Sequence, residues 1–324
     1  MSKIICIAAK IKKALGDSIE RRLTGNDVRW LESMAPEERI ASLKAADVVL
    51  CATLTKELST EEKSLLGNVG FVQTMSAGVN QIDFSLVPHN INLHSNVGGW
   101  SHAIAEHALA MTLACSRSLR AQTEDLRDGT FNTYLRPMRL LDGATVVIFG
   151  WGGIGRAAGK LYKAFGSHLI GIGRTAPTDI LLDGGYAFSE YKKVLPLADV
   201  LLLSCPSNNT TRNLLNSETL KLMKDDAILV NVARADLIDR DALEAHLKSH
   251  PNFRAGLDVW WKERRKYPAE GDSILKMNTV VGSPHSSHFY PEALAEAADN
   301  AITNIERYLK GETPKGKAKI EEYI

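Results

Sequence analysis

The chain is poor in cysteine. Four thiols, Cys6, Cys51, Cys115 and Cys205, are scattered through 324 residues with no Cys-x-x-Cys pair. That spacing argues against a disulfide framework and a paired-thiolate zinc site, and suits reduced thiols packed as small hydrophobes in a cytoplasmic protein. Neither sign of charge is in excess: 39 Lys and Arg face 38 Asp and Glu, leaving +1. A protein that coats nucleic acid or an anionic membrane carries a clear basic surplus, so neither is expected as a partner. No apolar run approaches the roughly 20 residues of a membrane helix. The apolar stretch at 4–9 is too short for a secretory core and runs straight into Lys10, Lys12 and Lys13. No metal is expected.

What is present is ordinary globular material, 44% hydrophobic and 24% charged, in a length that suits two domains. Strand and helix signals alternate almost throughout, which predicts an α/β protein with parallel sheets. In the first hundred residues, strands are expected at 4–8, 48–51, 70–74 and 91–94, with helical stretches at 19–31, 37–45 and 60–66. A long helix is expected over 101–120. Beyond it come six strand candidates, 145–149, 169–172, 200–203, 228–232, 255–259 and 279–281, separated by helical stretches that include 154–165, 217–223 and 241–248. Six strands so spaced suit a dinucleotide-binding fold. A final helix, 292–309, returns to the first unit. The expected division is thus a discontinuous substrate-binding domain, 1–98 with 292–324, and a dinucleotide-binding domain, 99–291.

Gly150-Trp151-Gly152-Gly153-Ile154-Gly155 satisfies G-x-G-x-x-G. The pattern alone is weak, and its context carries it. A β-branched run, Thr145-Val146-Val147-Ile148-Phe149, enters the loop, and a helix with Ile154, Ala158, Leu161 and Phe165 on one face leaves it. The glycines then serve a tight turn, close approach to a pyrophosphate and tight packing of helix on strand. Free N–H groups at the helix start would meet the phosphates. About 20 residues on, NAD sites place an acid for the ribose 2′-hydroxyl. Here Gly173 takes that slot and Arg174-Thr175 follow. A guanidinium with no carboxylate beside it can grip a 2′-phosphate, so NADP(H) is the preferred cofactor, with NAD(H) the alternative.

In open α/β sheets ligands bind at the carboxyl ends of the strands. The polar residues just past the last three strands are Arg234, then Asp258 and Glu263, then His285. Reduction of a 2-keto acid needs a cation for the carboxylate and carbonyl, and an acid for the developing alkoxide. Arg234 supplies the first. His285 is the residue type that gives and takes a proton near neutrality, and Glu263 beside it would favour the imidazolium.

Taken together these segments resemble the D-isomer-specific 2-hydroxyacid dehydrogenases over nearly the whole length. The carriers are Asn231-Val232-Ala233-Arg234-Ala235-Asp236-Leu237-Ile238-Asp239, then Leu257-Asp258-Val259-Trp260-Trp261-Lys262-Glu263-Arg264, and Pro284-His285. Met75-Ser76-Ala77-Gly78-Val79-Asn80 resembles the family's substrate loop, and Ile104-Ala105-Glu106-His107 the start of its interdomain helix. The resemblance implies a Rossmann-type doubly wound sheet beside a smaller, flavodoxin-like α/β domain. It implies Arg234, Glu263 and His285 as a catalytic triad, and backbone N–H groups of Ala77 and Gly78 on the substrate carboxylate. Asp258 would meet the nicotinamide carboxamide, Val232 and Ala233 would line its ring, and Pro206, Thr211 and Ile104 would lie by the cofactor.

The sequence departs from the family pattern at Ala235, where glycine is usual, and at Arg264, where proline is usual. The second leaves Glu270 as a fallback for Glu263, and His288, three residues past His285, is the second candidate for the acid after His285. The cofactor segment is closest to the NADPH-dependent glyoxylate and hydroxypyruvate reductases, so glyoxylate or hydroxypyruvate is the expected substrate. Pyruvate, phenylpyruvate or a dinucleotide-sensing co-repressor role are the alternatives. A homodimer is expected, because the connector up to 140 carries Leu126, Phe131, Tyr134, Leu135, Met138 and Leu140.

Overall fold

Short β-branched and leucine-rich runs dominate the central strands, and these are buried on both faces, as parallel sheets require. The computed structural model describes residues 2–11, 13–261 and 273–324. These fall into two units, Met1–Trp100 with Tyr290–Ile324, and Ser101–Phe289.

The first unit contains β1 (Ile4–Ile7), α1 (Lys13–Arg22), β2 (Asp27–Trp30), α2 (Pro36–Ala45), β3 (Val48–Cys51), α3 (Thr60–Ser64), β4 (Phe71–Thr74) and β5 (Leu93–His94). Its five strands are all parallel, in the order β2-β1-β3-β4-β5, the flavodoxin order. Pro36 opens α2 at the first helical position, where its missing N–H costs nothing.

The second unit begins with α4 (Ser101–Ser116) and α5 (Leu119–Arg127). Then follow β6 (Thr145–Phe149), α6 (Gly153–Ala164), β7 (His168–Gly173), β8 (Gly184–Ala187), α7 (Tyr191–Val194), β9 (Val200–Leu203), α8 (Ser217–Leu220), β10 (Ile228–Asn231), α9 (Arg240–Ser249), β11 (Arg254–Leu257), α10 (Ser273–Lys276) and β12 (Val280–Gly282). The sheet is parallel and ordered β12-β11-β10-β9-β6-β7-β8. Strand order reverses between β6 and β9, the switch point at which such sheets bind ligands. The chain then re-enters the first unit as α11 (Ala293–Leu309), whose Asn304 donates to the buried Gln73 of β4 at 2.7 Å.

The α/β class, with one doubly wound parallel sheet and one smaller flavodoxin-like sheet, agrees with the sequence. Three elements do not. The stretch 19–31 is not one helix: α1 stops at Arg22, Gly25 turns the chain at φ +91°, and 27–30 form a half-exposed edge strand. The second sheet gains a seventh strand, β8, whose Gly-Gly-Tyr-Ala sequence has little strand propensity. Gly185 there lies so close to the Pro177 carbonyl that an added Cβ would sit 2.0 Å from it. The helix expected over 101–120 breaks at Ser118 (φ 51°), whose hydroxyl donates to Pro137 O, while Arg139 N caps Ser116 O. Among the described residues no helix is long and apolar enough to cross a membrane, and no cluster of His, Cys, Asp and Glu could hold a metal.

Candidate active site

The loop from β6 to α6 is built for close backbone approach. Gly150 has φ +109°, and a Cβ there would lie 2.6 Å from Cys205 N on the loop after β9. A Cβ on Gly155 would lie 2.2 Å from Gly150 O, so the third glycine lets α6 dock on its own entry turn. A Cβ on Gly152, the N-cap of α6, would meet nothing within 4 Å. Open space at that backbone, ahead of a 12-residue helix with unbonded N–H groups, fits a pyrophosphate. Trp151 turns the other way, onto Gly159, and its indole donates to Asp179. Arg156 on the first turn of α6 pairs with the same carboxylate at 2.7 Å. The N–H of Leu181 and the Trp151 indole hold the Asp179 carboxyl below its ordinary range.

At the end of β7, a Cβ on Gly173 would meet the Thr175 carbonyl at 2.7 Å. The slot usually given to an acid is therefore closed to a side chain unless that carbonyl moves. Arg174 and Thr175 are both exposed just beyond it.

After β9 the loop holding Pro206 and Thr211 is closed on itself. Thr211 donates to Pro206 O at 2.8 Å and accepts from Asn208 N at 2.9 Å. Thr211 is thus a brace. Beside it Ser207 keeps a buried hydroxyl without a protein partner, an orphan that a bound polar ligand would satisfy.

The ends of β10, β11 and β12 lie side by side. Asn231 closes β10: its amide donates to Arg234 O at 2.8 Å and its oxygen accepts from Ala233 N, fixing the turn that presents half-buried Arg234. Arg234 Nη1 donates to Ala233 O, and Val232 and Ala233 are buried beside it. Asp258, one residue past β11, is 0% exposed. Its carboxylate accepts from Ser283 Oγ at 2.5 Å, Ser286 N at 2.9 Å and Ser287 N at 3.1 Å, and its carbonyl accepts from His285 N at 2.8 Å. Burial pushes the Asp258 carboxyl up, but the bonds from Ser283, Ser287 and Ser286 together outweigh it and leave it below its ordinary range.

His285 itself stands at φ 54°, a conformation side chains rarely adopt. Such strain persists only where surroundings over-determine it, and it clusters at functional sites. His288 lies 6.0 Å away, ring to ring, and burial followed by the charge of His285 lowers its pKa. Glu263 and its fallback Glu270 lie outside the described residues, as does Arg264. Ile104 is buried on α4.

In the first unit the loop after β4 is pinned at Ser76, whose N–H donates to Ala52 O and whose carbonyl accepts from Asn96 N. Ser76 Oγ donates to Gly78 O at 2.9 Å, and Gln81 reaches the same carbonyl at 3.0 Å. Among the described residues, the N–H groups of Ala77 and Gly78 have no acceptor, the arrangement needed to receive a carboxylate. Leu54, just past β3, is buried at 1% exposure, with φ 62°.

Sequence reasoning gave no bracing role to Asn231, Ser283, Gln81, Asp179 or Arg156. Asn231 and Gln81 brace their own turns, whereas Ser283 and the Asp179–Arg156 pair take partners on other elements, which only the fold reveals.

Residues 109–287 match the family model for the D-isomer specific 2-hydroxyacid dehydrogenase, NAD binding domain. Among curated relatives, the D-3-phosphoglycerate dehydrogenase of Methanocaldococcus jannaschii is 28% identical over 88% of this chain, which spans 54% of that protein's length. The glyoxylate reductase of Thermococcus litoralis is 28% identical over 88% of each chain. Among solved structures, a D-isomer specific 2-hydroxyacid dehydrogenase of Xanthobacter autotrophicus, in complex with NADPH and MES, superposes with TM-score 0.80 over 100% of both chains at 21% identity. With the match to the family model covering more than half of its residues, the chain belongs to the D-isomer specific 2-hydroxyacid dehydrogenases, an oxidoreductase family.

Proposed function

We propose that the protein reduces a small 2-keto acid, of the glyoxylate or hydroxypyruvate type, to the D-2-hydroxy acid with NADPH. The observation that carries this reading is the loop after β12. A histidine is held in a strained conformation by the carbonyl of a buried aspartate, whose carboxylate ties down the flanking serines, on the same sheet edge as an arginine and a glycine loop. When bound, the nicotinamide supplies the hydride. Arg234 holds the substrate carboxylate and polarises its carbonyl, and His285 gives the alkoxide its proton. The free N–H groups of Ala77 and Gly78 hold the carboxylate. Glu263 is proposed, from the family motif, as the carboxylate partner of His285.

Three features support NADPH. The acidic slot at Gly173 is closed by the Thr175 carbonyl, and Arg174 is exposed next to it. Further along, Asp179 is neutralised by Arg156 and tied to Trp151. The same reading makes Met1–Trp100 with Tyr290–Ile324 the substrate-binding domain and Ser101–Phe289 the cofactor domain of a cytoplasmic enzyme. A homodimer is supported by the connector, where Phe131 and Tyr134 are 87% and 93% exposed and Leu126, Leu135, Met138 and Leu140 are also exposed.

The test is nicotinamide absorbance decay with NADPH and NADH in parallel, against glyoxylate, hydroxypyruvate, pyruvate and phenylpyruvate, with 3-phosphoglycerate oxidation as a further arm. Fast NADPH oxidation with glyoxylate or hydroxypyruvate is expected. Faster NADH oxidation would refute the Arg174 reading. Turnover of 3-phosphoglycerate alone would refute the substrate. Cofactor binding without consumption of any kind would favour a dinucleotide sensor.

A further inference from the structure

The edge of the second sheet carries one more titratable side chain, and it comes from a helix. His107 lies on α4, which packs across β10, β11 and β12. Its Nε2 is 2.8 Å from Ser283 Oγ and 3.8 Å from Asp258 Oδ1. Ser283 has a single hydroxyl hydrogen, and its 2.5 Å contact with the ionised Asp258 leaves that hydrogen only one place to go, because a carboxylate only accepts. The Ser283 oxygen must then accept from Nε2–H of His107, which fixes the tautomer of His107. Among the described residues no lysine or arginine pairs with Asp258, so His107 ends the chain of bonds.

That chain does not stop at a scaffold. Ser283, Ser286 and Ser287 flank His285 on both sides, and all three donate to the Asp258 carboxylate, while His285 N donates to the Asp258 carbonyl. These bonds hold residues 283–287 as an arch with His285 at φ 54°. Trp260 steadies the same arch, its indole donating to Ser283 O at 2.8 Å. If the His107 donor is lost, the Ser283 oxygen loses the bond that orients it, the Ser283 contact with the carboxylate is less well fixed, and the arch keeps on that carboxylate only the two backbone bonds from Ser286 and Ser287, beside the Trp260 contact.

We propose that His107 is a positioning residue for His285, acting through Ser283 and Asp258. The proposal rests on the reading of His285 as the proton donor. It is tested on the full-length protein with NADPH and glyoxylate, or whichever keto acid of the panel turns over.

His107→Leu should lower kcat about 10- to 100-fold, the cost of a small misplacement of a catalytic group. NADPH affinity, read by fluorescence quenching, should fall far less than kcat, because the glycine loop is untouched and only the contact expected of Asp258 with the nicotinamide end is exposed to the change. His107→Gln, whose amide can keep an N–H on Ser283, should recover most of kcat. Ser283→Ala should fall as His107→Leu does, and Ser283→Thr should not. The decisive reading is a double-mutant cycle, in which His107→Leu costs nothing further once His285 is alanine.

A full additional loss in the His285→Ala background, or a glutamine variant as poor as the leucine one, would overturn the proposal. If His107→Leu does not fold, the Ser283 pair carries the same test. Retained turnover in His285→Ala alone would overturn the assignment of His285, and the proposal with it. The two failures are therefore told apart.

Discussion

The two parallel sheets present their carboxyl edges in different materials. The first unit offers backbone: the N–H groups of Ala77 and Gly78, aligned by the neutral side chains of Ser76 and Gln81. The second offers side chains: Arg234, a fully buried Asp258 and a strained His285. A backbone cradle carries fixed partial charge and changes little when a neighbouring side chain is altered. A side-chain site concentrates both charge and strain, and one substitution can abolish it. Damage to the backbone cradle of the first edge should therefore appear in KM, and loss of His285 from the second in kcat.

The sharpest break of that contrast is His285→Ala. Turnover should fall about 10²- to 10⁴-fold, the usual worth of a general acid, while NADPH affinity stays nearly intact. Steady-state kinetics beside a binding titration would show it, and a small change in kcat would remove His285 from the chemistry.

Gly155→Ala comes next and strikes the second edge through backbone. The new methyl would sit 2.2 Å from Gly150 O, so α6 must move off its entry turn. A loss of about 1–3 kcal/mol of stability is expected from overpacking of this kind. Cofactor affinity should drop with it, measured by calorimetry. An unchanged Kd for NADPH would mean that the loop is not the phosphate cradle.

Acid should also separate the units. His246 on α9 is buried against His250 and Phe253 with Nε2 unpartnered. Burial, then the charge of His250, lowers its pKa to about 4. The unfolded chain takes up that proton near pH 6.5, and the folded protein only near 4. The associated stability is thus present above about pH 6.5 and is lost as pH falls toward 4, by about 3 kcal/mol. His94 in the first unit is lowered by burial too, but its ring bonds Lys315 O and Asn92 Oδ1. Hydrogen exchange between pH 7 and 4 should show the second unit loosening first, and His246→Phe should blunt the effect. Equal softening of both units would contradict the assignment.

Arg174→Asp should shift the NADPH-to-NADH ratio of efficiencies about 10- to 100-fold, the worth of a charge-assisted phosphate contact. An unchanged ratio would leave Arg174 a surface residue.

Legibility in the sequence followed local chemistry. The parallel α/β class, the glycine turn between β6 and α6, and the placing of Arg234, Asp258 and His285 just past β10, β11 and β12 could be read because each announces itself within a few residues. The edge strands β2 and β8 could not: half-exposed Asp-Val-Arg-Trp and glycine-rich Gly-Gly-Tyr-Ala lack the buried apolar signal of central strands. The break at Ser118 was hidden because its partners, Pro137 and the backbone of Arg139, lie some 20 residues away. His107 was visible only as part of a helix motif, since its link to Ser283 spans 176 positions.

The smallest expected effect probes the backbone cradle itself. Gln81 donates to Gly78 O at 3.0 Å and to Ser76 Oγ at 3.3 Å, so it steadies the cradle without forming it. Ser76 Oγ also donates to Gly78 O, so removing Gln81 leaves one of the two braces in place. A neutral, partly exposed hydrogen bond is worth about 1 kcal/mol, which corresponds to roughly a fivefold change. Gln81→Ala should therefore raise KM for the keto acid by about that factor with kcat unchanged, and Gln81→Ala with Ser76→Ala should raise it further. A fall in kcat instead would mean that the cradle contributes in the transition state and not only in the ground state. The division between a binding edge made of backbone and a reacting edge made of side chains would then fail.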